Sequence, residues 1–349
     1  MGRTILFIII VATLSFSQTG AQDKTGHTQT TCLESTSPYM RTDGSQFCFN
    51  GERVELFGAT FYPYWEHGKT VYRSSAWLQL DFKEYVDRIF ELAQDAHLNT
   101  LRVTNYLDVN SSWDSSIIWK NIDYFISEAE KRHIWVIFDL STYRQWLTRH
   151  NVKAVYNAEN WRNFVKFVTK RYIDASNIAY YSITGEIPAT DDGGITATQY
   201  VQFFNTVLEL IHTGDSGNHL ISVGGFLYLN FDSGIPWRAL YSLPYNDIVA
   251  IHLYSDGDRN ITLPTVSQFA QLIGKPFLIE EFGFQQDITD IERAKAFAKT
   301  YELAEASQAA GALFWNLGPE NVPTSHDVNA SQSLVWETIQ KTSEKFVAQ

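Results

Sequence analysis

Lys275-Pro276-Phe277-Leu278-Ile279-Glu280-Glu281-Phe282-Gly283-Phe284 decides how the rest of this chain is read. A continuous apolar run opened by Pro is the pattern of a strand buried on both faces, and here it stops at two adjacent carboxylates. Successive strand residues point to opposite sides, so strict alternation predicts that only one of Glu280 and Glu281 faces a cavity while the other supports it from the wall. A second β-rich run, Ile178-Ala179-Tyr180-Tyr181-Ser182-Ile183-Thr184, ends in Gly185-Glu186-Ile187-Pro188. Two strand-end acids suit paired acid/base chemistry, against the plainer reading of strands that end in solvated acids.

Outward from these two stretches the chain alternates strands and helices. Strands are expected at 54–61, 99–104, 134–140, 178–184, 220–224, 248–253, 276–279 and 312–315. Apolar residues at three- and four-residue spacing predict helices at about 81–95, 117–132, 158–173, 196–213, 289–309 and 334–347, with short ones near 237–242 and 265–273. Eight strands with intervening helices describe a single closed (β/α)8 TIM barrel over residues 46–349, preceded by an N-terminal β-hairpin around Asn50-Gly51. In such a barrel chemistry gathers where strands end. The strand ends here carry Tyr62 and Trp65, Arg102 and Asn105, Asp139 and Ser141, Glu186, His252 and Tyr254, Glu281, and Trp315 with Asn316.

Composition narrows the function. The chain has 349 residues, 44% hydrophobic and 15% aromatic, enough for a large core. Residues 1–21 read as a secretory signal with Arg3, an apolar stretch from Ile5 to Leu14 and the small-residue site Thr19-Gly20-Ala21, and residues 22–45 as a polar leader. The formal charge is −12, and cleavage of the signal removes Arg3 and no acid. That balance argues against nucleic acid and anionic membranes as partners, and suits a secreted or periplasmic monomer with a neutral substrate. Cys32 and Cys48, an even pair in an exported chain, read as one disulfide tying down the N-terminal segment rather than as two free thiols. Sequons stand at Asn110, Asn260 and Asn329. No Gly-x-Gly-x-x-Gly, P-loop or His-Glu-x-x-His motif is present, which argues against dinucleotide, phosphoryl-transfer and zinc-peptidase chemistry.

With these residues in view, the chain resembles glycoside hydrolase family 5 and its clan of retaining (β/α)8-barrel β-glycosidases of the β-mannanase and β-glucanase kind. The likeness spans about 46–320. It rests on Asn50-Gly51-Glu52, Asn99-Thr100-Leu101-Arg102, Glu186-Ile187-Pro188, His252-Leu253-Tyr254, Glu281-Phe282-Gly283 and Trp315, in that order. The resemblance implies Glu186 as acid/base, Glu281 as nucleophile, Arg102 bracing the nucleophile, His252 and Tyr254 beside the acid pair, and Trp315 as the floor of a sugar subsite. Trp65 and Tyr62 are further aromatic walls for pyranose faces; Glu280 and Asp139 are supporting residues. The expected substrate is a neutral β-linked hexose glycan of the mannan or glucan type, and no metal or organic cofactor is required. Gly185 stands where the family has Asn, and Ser141 where it has His. The missing Asn amide leaves the sugar 2-hydroxyl to another residue, for which Asn105 is a candidate. Two rival readings use the same residues: a secreted carbohydrate-binding barrel whose catalysis has lapsed, and a metal-dependent hydrolase built on His252, Asp139 and Glu281.

Overall fold

The computed structural model describes residues 32, 37–63, 65–67, 70–150, 155–187, 195–318 and 323–347. The signal, most of the leader and the side chain of Trp65 lie outside the described residues. Three short strands, β1 (Arg41–Asp43), β2 (Gln46–Phe49) and β3 (Glu52–Val54), form an antiparallel sheet in that order. The Asn50-Gly51 turn joins β2 to β3, with both residues at positive φ (53° and 80°), as a tight hairpin turn needs. Next come β4 (Leu56–Phe61) and a second hairpin of β5 (Trp65–His67) and β6 (Thr70–Tyr72). The remaining strands are β7 (Thr100–Val103), β8 (Trp135–Asp139), β9 (Ile178–Ser182), β10 (Leu220–Ser222), β11 (Gly225–Phe226), β12 (Val249–Leu253), β13 (Phe277–Phe282) and β14 (Gly311–Phe314).

From β4 onward, excluding the β5–β6 hairpin, these strands form one parallel sheet, ordered β10-β9-β8-β7-β4-β14-β13-β12-β11. Its two end strands belong to one stretch of chain. β10 pairs with β9 and, after Val223-Gly224, β11 pairs with β12, so a single interrupted strand closes the sheet into an eight-stranded barrel. The interruption falls where strand 220–224 was expected to run through. Gly224 has φ +124°, and a Cβ there would stand 2.5 Å from Thr184 Oγ1 and 2.7 Å from the Gly185 carbonyl oxygen, so only Gly lets the chain pass the end of β9.

The helices are α1 (Phe82–Asp95), α2 (Ser116–Lys131), α3 (Ser141–Arg149), α4 (Ala158–Tyr172), α5 (Ala197–Gly214), α6 (Trp237–Tyr241), α7 (Leu263–Ile273), α8 (Asp290–Ala306) and α9 (Ser333–Val347). Their apolar stripes face the barrel; in α1, Phe82, Val86, Ile89, Phe90 and Ala93 are buried at three- and four-residue steps. Capping boxes at Thr196/Gln199 and Thr289/Glu292 start α5 and α8 by satisfying otherwise unpaired backbone N–H groups. Sequence periodicity missed α3. It begins two residues after Asp139, with no loop to announce it, although Tyr143, Trp146 and Leu147 carry helical spacing.

The N-terminal sheet closes one end of the barrel. Met40 and Phe47 share a buried cluster with Leu56, Ile137, Tyr180, Leu278 and Leu313 of the barrel interior. The Tyr39 hydroxyl donates to the Ile173 carbonyl (2.9 Å), and Arg41 donates to the Asn218 carbonyl, so the end of the leader is fastened to loops at that end. Cys32 and Cys48 form the expected disulfide, which ties the leader to β2. Breaking it with Cys32→Ser frees a segment upstream of Met40 while the barrel keeps its own core. Limited proteolysis should therefore cut the variant within residues 22–36 much faster than the parent, with a melting temperature within a few degrees of it; a cooperative loss of the whole barrel at ambient temperature would contradict this.

Candidate active site

Two buried cations meet four carboxylates at the C-terminal ends of the strands. Arg102, at the end of β7, is 2% exposed and donates through Nη1 to Glu281 Oε1 and through Nη2 to Asp139 Oδ2 (2.7 Å); its Nε lies 3.9 Å from Glu280 Oε2. Burial opposes its charge, but the three acids outweigh burial and hold the guanidinium ionised. Asp139 also accepts from Thr104 Oγ1 (2.9 Å) and the Ser141 backbone N–H (2.8 Å). His252 puts Nδ1 3.2 Å from Glu186 Oε1 and 3.4 Å from Glu281 Oε2, and Nε2 3.2 Å from Glu280 Oε2. Burial alone would lower its pKa, yet the Glu281 charge and the bonds to Glu186 and Glu280 push it up to about 10.

The expectation that Glu280 and Glu281 point to opposite sides is not met. Both carboxylates reach Arg102 and His252. The reason is a β-bulge in β13. Ile251 pairs with Ile279 but His252 pairs with Glu281, and on the other edge Ala312 and Phe314 pair with Ile279 and Phe282, so both neighbours see one extra residue in β13. The extra residue breaks the two-residue period. Glu280, with no exposed surface, accepts from Tyr180 Oη (2.6 Å) and is held below the usual carboxylate range, because Arg102, His252 and Tyr180 together outweigh burial.

Glu281 accepts from Arg102 and from the Tyr254 hydroxyl (2.8 Å). Burial, helped by the Glu186 charge, raises its proton affinity despite these donors. Glu186 follows β9 by a bridge to Gly225, and its side chain is 53% exposed. Burial of its inner half raises its proton affinity, but the His252 bond and charge and the charges of Arg102 and Arg144 prevail and lower it overall. One oxygen of Glu186, one of Glu281 and a ring nitrogen of His252 all lie within 4.8 Å of one another. These three are also a possible metal-ligand set by distance. Nδ1 and Nε2 of His252 each stand 3.2 Å from a carboxylate oxygen, of Glu186 and Glu280, and these acids favour its protonated form, so a cation there would have to displace a proton from the ring.

Trp315 and Tyr62, which follow β14 and β4 next to β13, form an aromatic pair with their rings 5.3 Å apart. Asn316 locks them together, accepting from Tyr62 N (2.8 Å) and donating to Tyr62 O (3.0 Å). Asn105 is buried at the end of β7 with φ +53°, and its side chain has no hydrogen-bond partner among the described residues. Tyr180, Thr104 and Asp258 were not singled out from the sequence. Asp258 accepts from Tyr254 N (3.1 Å), Ser255 N (2.8 Å) and Tyr228 N (2.5 Å), which fixes the loop carrying Tyr254. The one available signal for Tyr180 was its place on the same strand parity as Ser182, facing the barrel interior.

Residues 65–321 match the family model for cellulase, glycosyl hydrolase family 5. The chain belongs to glycosyl hydrolase family 5. Curated relatives include a probable mannan endo-1,4-beta-mannosidase F from Neosartorya fischeri, 23% identical with 87% of this chain and 73% of the relative covered. A mannan endo-1,4-beta-mannosidase F from Aspergillus fumigatus is also 23% identical, over 81% of this chain and 71% of that protein. Among solved structures, the endo-1,4-beta-mannanase of Rhizomucor miehei superposes with a TM-score of 0.71 at 20% identity, covering 89% of this chain and all of that one. The endo-beta-1,4-mannanase of Thermotoga petrophila gives 0.68 at 18% identity, covering 85% of this chain and 78% of its own. This family 5 barrel is thus a glycosyl hydrolase, and the departure at Gly185 acquires a physical cause. Gly185 has φ +59°, and a Cβ there would stand 2.8 Å from Arg102 Nη2, 3.0 Å from Asp139 Oδ2 and 3.2 Å from Ser141 Oγ. The Arg102–Asp139 pair fills the space that a side chain at 185 would need.

Two predictions follow from this geometry. Gly185→Asn forces the Arg102–Asp139 pair apart, so kcat should fall by at least about 10-fold on every substrate, rather than merely re-ranking substrates by their C2 group; an active variant with altered C2 preference would show that the pair can yield. His252 has a folded pKa of about 10 against an ordinary value of 6.5. A raised pKa contributes stability in full below pH 6.5 and loses it as pH climbs through 10. Chemical-denaturation midpoints should therefore fall between those limits more steeply in the parent than in His252→Gln.

Proposed function

We propose that this glycosyl hydrolase is a secreted retaining endo-β-glycosidase acting on neutral mannan-type polysaccharide, with Glu281 as nucleophile and Glu186 as acid/base. The observation that carries the proposal is the spacing of these two acids, whose nearest oxygens lie within 4.8 Å. Retaining enzymes hold their carboxyl groups about 5–5.5 Å apart, whereas inverting enzymes need about 6.5–9.5 Å to admit a water.

The donors divide the roles. Glu281 is buried and held by Arg102 and Tyr254, so its attacking oxygen is fixed in direction and its negative charge is matched by donors that need not reorganise. Among the described residues the Glu186 side chain has one hydrogen-bond partner, His252, and it faces the cleft with half its surface. In the protein alone, burial favours the proton on Glu281 and His252 favours ionised Glu186, the reverse of what the first step requires. A bound sugar changes the balance at Glu186, because it displaces water from the exposed half and raises the cost of charge there. Glu186 then takes up a proton more readily and presents it to the glycosidic oxygen. Glu281 attacks the anomeric carbon as Glu186 gives its proton to the departing oxygen, leaving a glycosyl ester on Glu281; Glu186 then takes a proton from a water whose oxygen bonds to the anomeric carbon, breaking the bond to Glu281 and releasing the sugar with retained configuration. Because the acids titrate as a pair, the pH profile of kcat/KM should be bell-shaped, with two apparent values that belong to the pair.

Trp315 and Tyr62 offer ring faces to the apolar side of a pyranose. The mannan preference rests on the relatives' named substrates together with those neutral walls. Secretion rests on the apolar N-terminal segment and on the Cys32–Cys48 disulfide.

The test is a panel of soluble polysaccharides scored for new reducing ends, with β-mannan expected ahead of β-glucan; activity confined to acidic glycans would sink the proposal. Glu281→Ala should cost about 10⁴-fold or more in kcat on every substrate. Glu186→Ala should lose about 10²- to 10⁴-fold on polysaccharide, spare aryl glycosides with good leaving groups, and yield a β-glycosyl azide when azide is added. An α-glycosyl azide would refute retention.

A further inference from the structure

Arg144 is a cation at the edge of this site. It lies in α3, is partly buried, and its Nε is fully buried with no hydrogen bond among the described residues. Among the described residues no carboxylate forms an ion pair with it, and its charge is felt by Glu186. Ser141, three residues earlier and so on the same face of the helix, has its Oγ 3.2 Å from where a Cβ on Gly185 would stand; its hydroxyl also has no partner among the described residues. The face of α3 bearing both residues therefore looks onto the segment that carries Glu186.

This face is built to stay in place. The Ser141 N–H donates to Asp139 Oδ1 (2.8 Å), Thr142 Oγ1 accepts from Leu107 N (3.0 Å), and Trp146 Nε1 donates to Ser111 O (2.9 Å). These bonds fix both ends of the helix to β8 and to the loop after β7. A rigid helix that holds a buried guanidinium N–H with no acceptor among the described residues presents that donor to a ligand in the cleft.

Position identifies the occupant. The aromatic pair Trp315 and Tyr62 follows β14 and β4, and Glu281 rises from β13 beside them. Glu186 follows β9 across the mouth, and β8, which leads into α3, is the neighbour of β9. The sugar attacked by Glu281 lies toward the aromatic pair, and the group that takes the proton from Glu186 departs on the far side. We propose that Ser141 and Arg144 form a leaving-group subsite, donating hydrogen bonds to the hydroxyls of the neutral sugar unit that departs when the bond breaks. The planar guanidinium presents two parallel N–H groups, which match a pair of neighbouring hydroxyl oxygens, and Ser141 adds a third contact.

The proposal rests on the hydrolase reading above, and the experiment separates the two. kcat/KM is measured for the parent, Arg144→Met, Arg144→Lys and Ser141→Ala on a β-1,4-mannan oligosaccharide that spans the scissile bond, and on an activated aryl β-mannobioside, which carries no sugar in the leaving position. Arg144→Met keeps the aliphatic stem and is expected to lose about 10- to 100-fold on the oligosaccharide and less than about 2-fold on the aryl substrate. Ser141→Ala should follow the same pattern with a smaller loss. Arg144→Lys keeps the charge beside Glu186 without the fork, so it should stay impaired on the oligosaccharide. Full recovery by Lys would mean that Arg144 acts only through its charge on Glu186, and would overturn the subsite. Equal losses on both substrates, or no loss on the oligosaccharide, would overturn it as well. A parent enzyme inactive on both substrates would instead remove the hydrolase reading, and the subsite with it.

Discussion

The structure depends on one guanidinium. Arg102, on β7, is buried among Asp139 of β8 and Glu280 and Glu281 of β13. Ions so placed lose their hydration and regain it only through exact partners, so removing the cation would leave several buried negative charges uncompensated, a cost of about 3–5 kcal/mol even for a single broken pair. The constraint works in both directions. The acids hold Arg102 charged, and Arg102 lets acids gather at the end of a dry barrel at all. Gly185 is part of the same arrangement, since any side chain there would occupy the volume of the Arg102–Asp139 contact.

His252 does for the other half of the site what Arg102 does for the first. It is completely buried, yet it carries a proton at neutral pH because Glu186, Glu280 and Glu281 surround it. Glu280 touches both cations and Tyr180, and so joins the two halves beneath the reacting pair. The two acids above it differ in exposure and in donor count, and those differences suit one to stay anionic and the other to exchange protons with a substrate. Like charges held this close also keep one proton between them over a range of pH.

The bulge in β13 is what brings these groups within reach. A regular strand would have sent Glu280 and Glu281 to opposite faces, one into the barrel and the other toward the surrounding helices. One extra residue turns both toward Arg102 and His252, and strand pairing resumes at Phe282. The interrupted strand of β10 and β11 is a second irregularity at the same rim, where Gly224 passes close to Thr184 and Gly185. Both irregularities lie where the chemistry is; a third, one extra residue in β9 between Ile178 and Tyr180, lies toward the other end, where apolar side chains fill the barrel.

Much of this was legible in the sequence because local rules carry it. Apolar runs at the right length give the eight strand positions, helical spacing gives most of the helices, and strand-end acids, Arg102, His252, Tyr254 and Trp315 stand out as polar or aromatic residues where a buried strand stops. The Cys32–Cys48 bond was readable as an even pair in a chain whose N-terminal residues read as an export signal. What the sequence did not carry was anything that depends on how two strands register. Alternation predicted that Glu280 and Glu281 would diverge, and nothing local marks the extra residue in β13. α3 escaped notice because no loop separates it from β8, and with it went Arg144, whose Nε lacks a partner among the described residues, a fact about its neighbours rather than about its own segment. Residue type and spacing follow from covalent order. Distance between chain segments, and hence proton affinity, the space at Gly185 and the pairing of acids with cations, exists only once the barrel has closed.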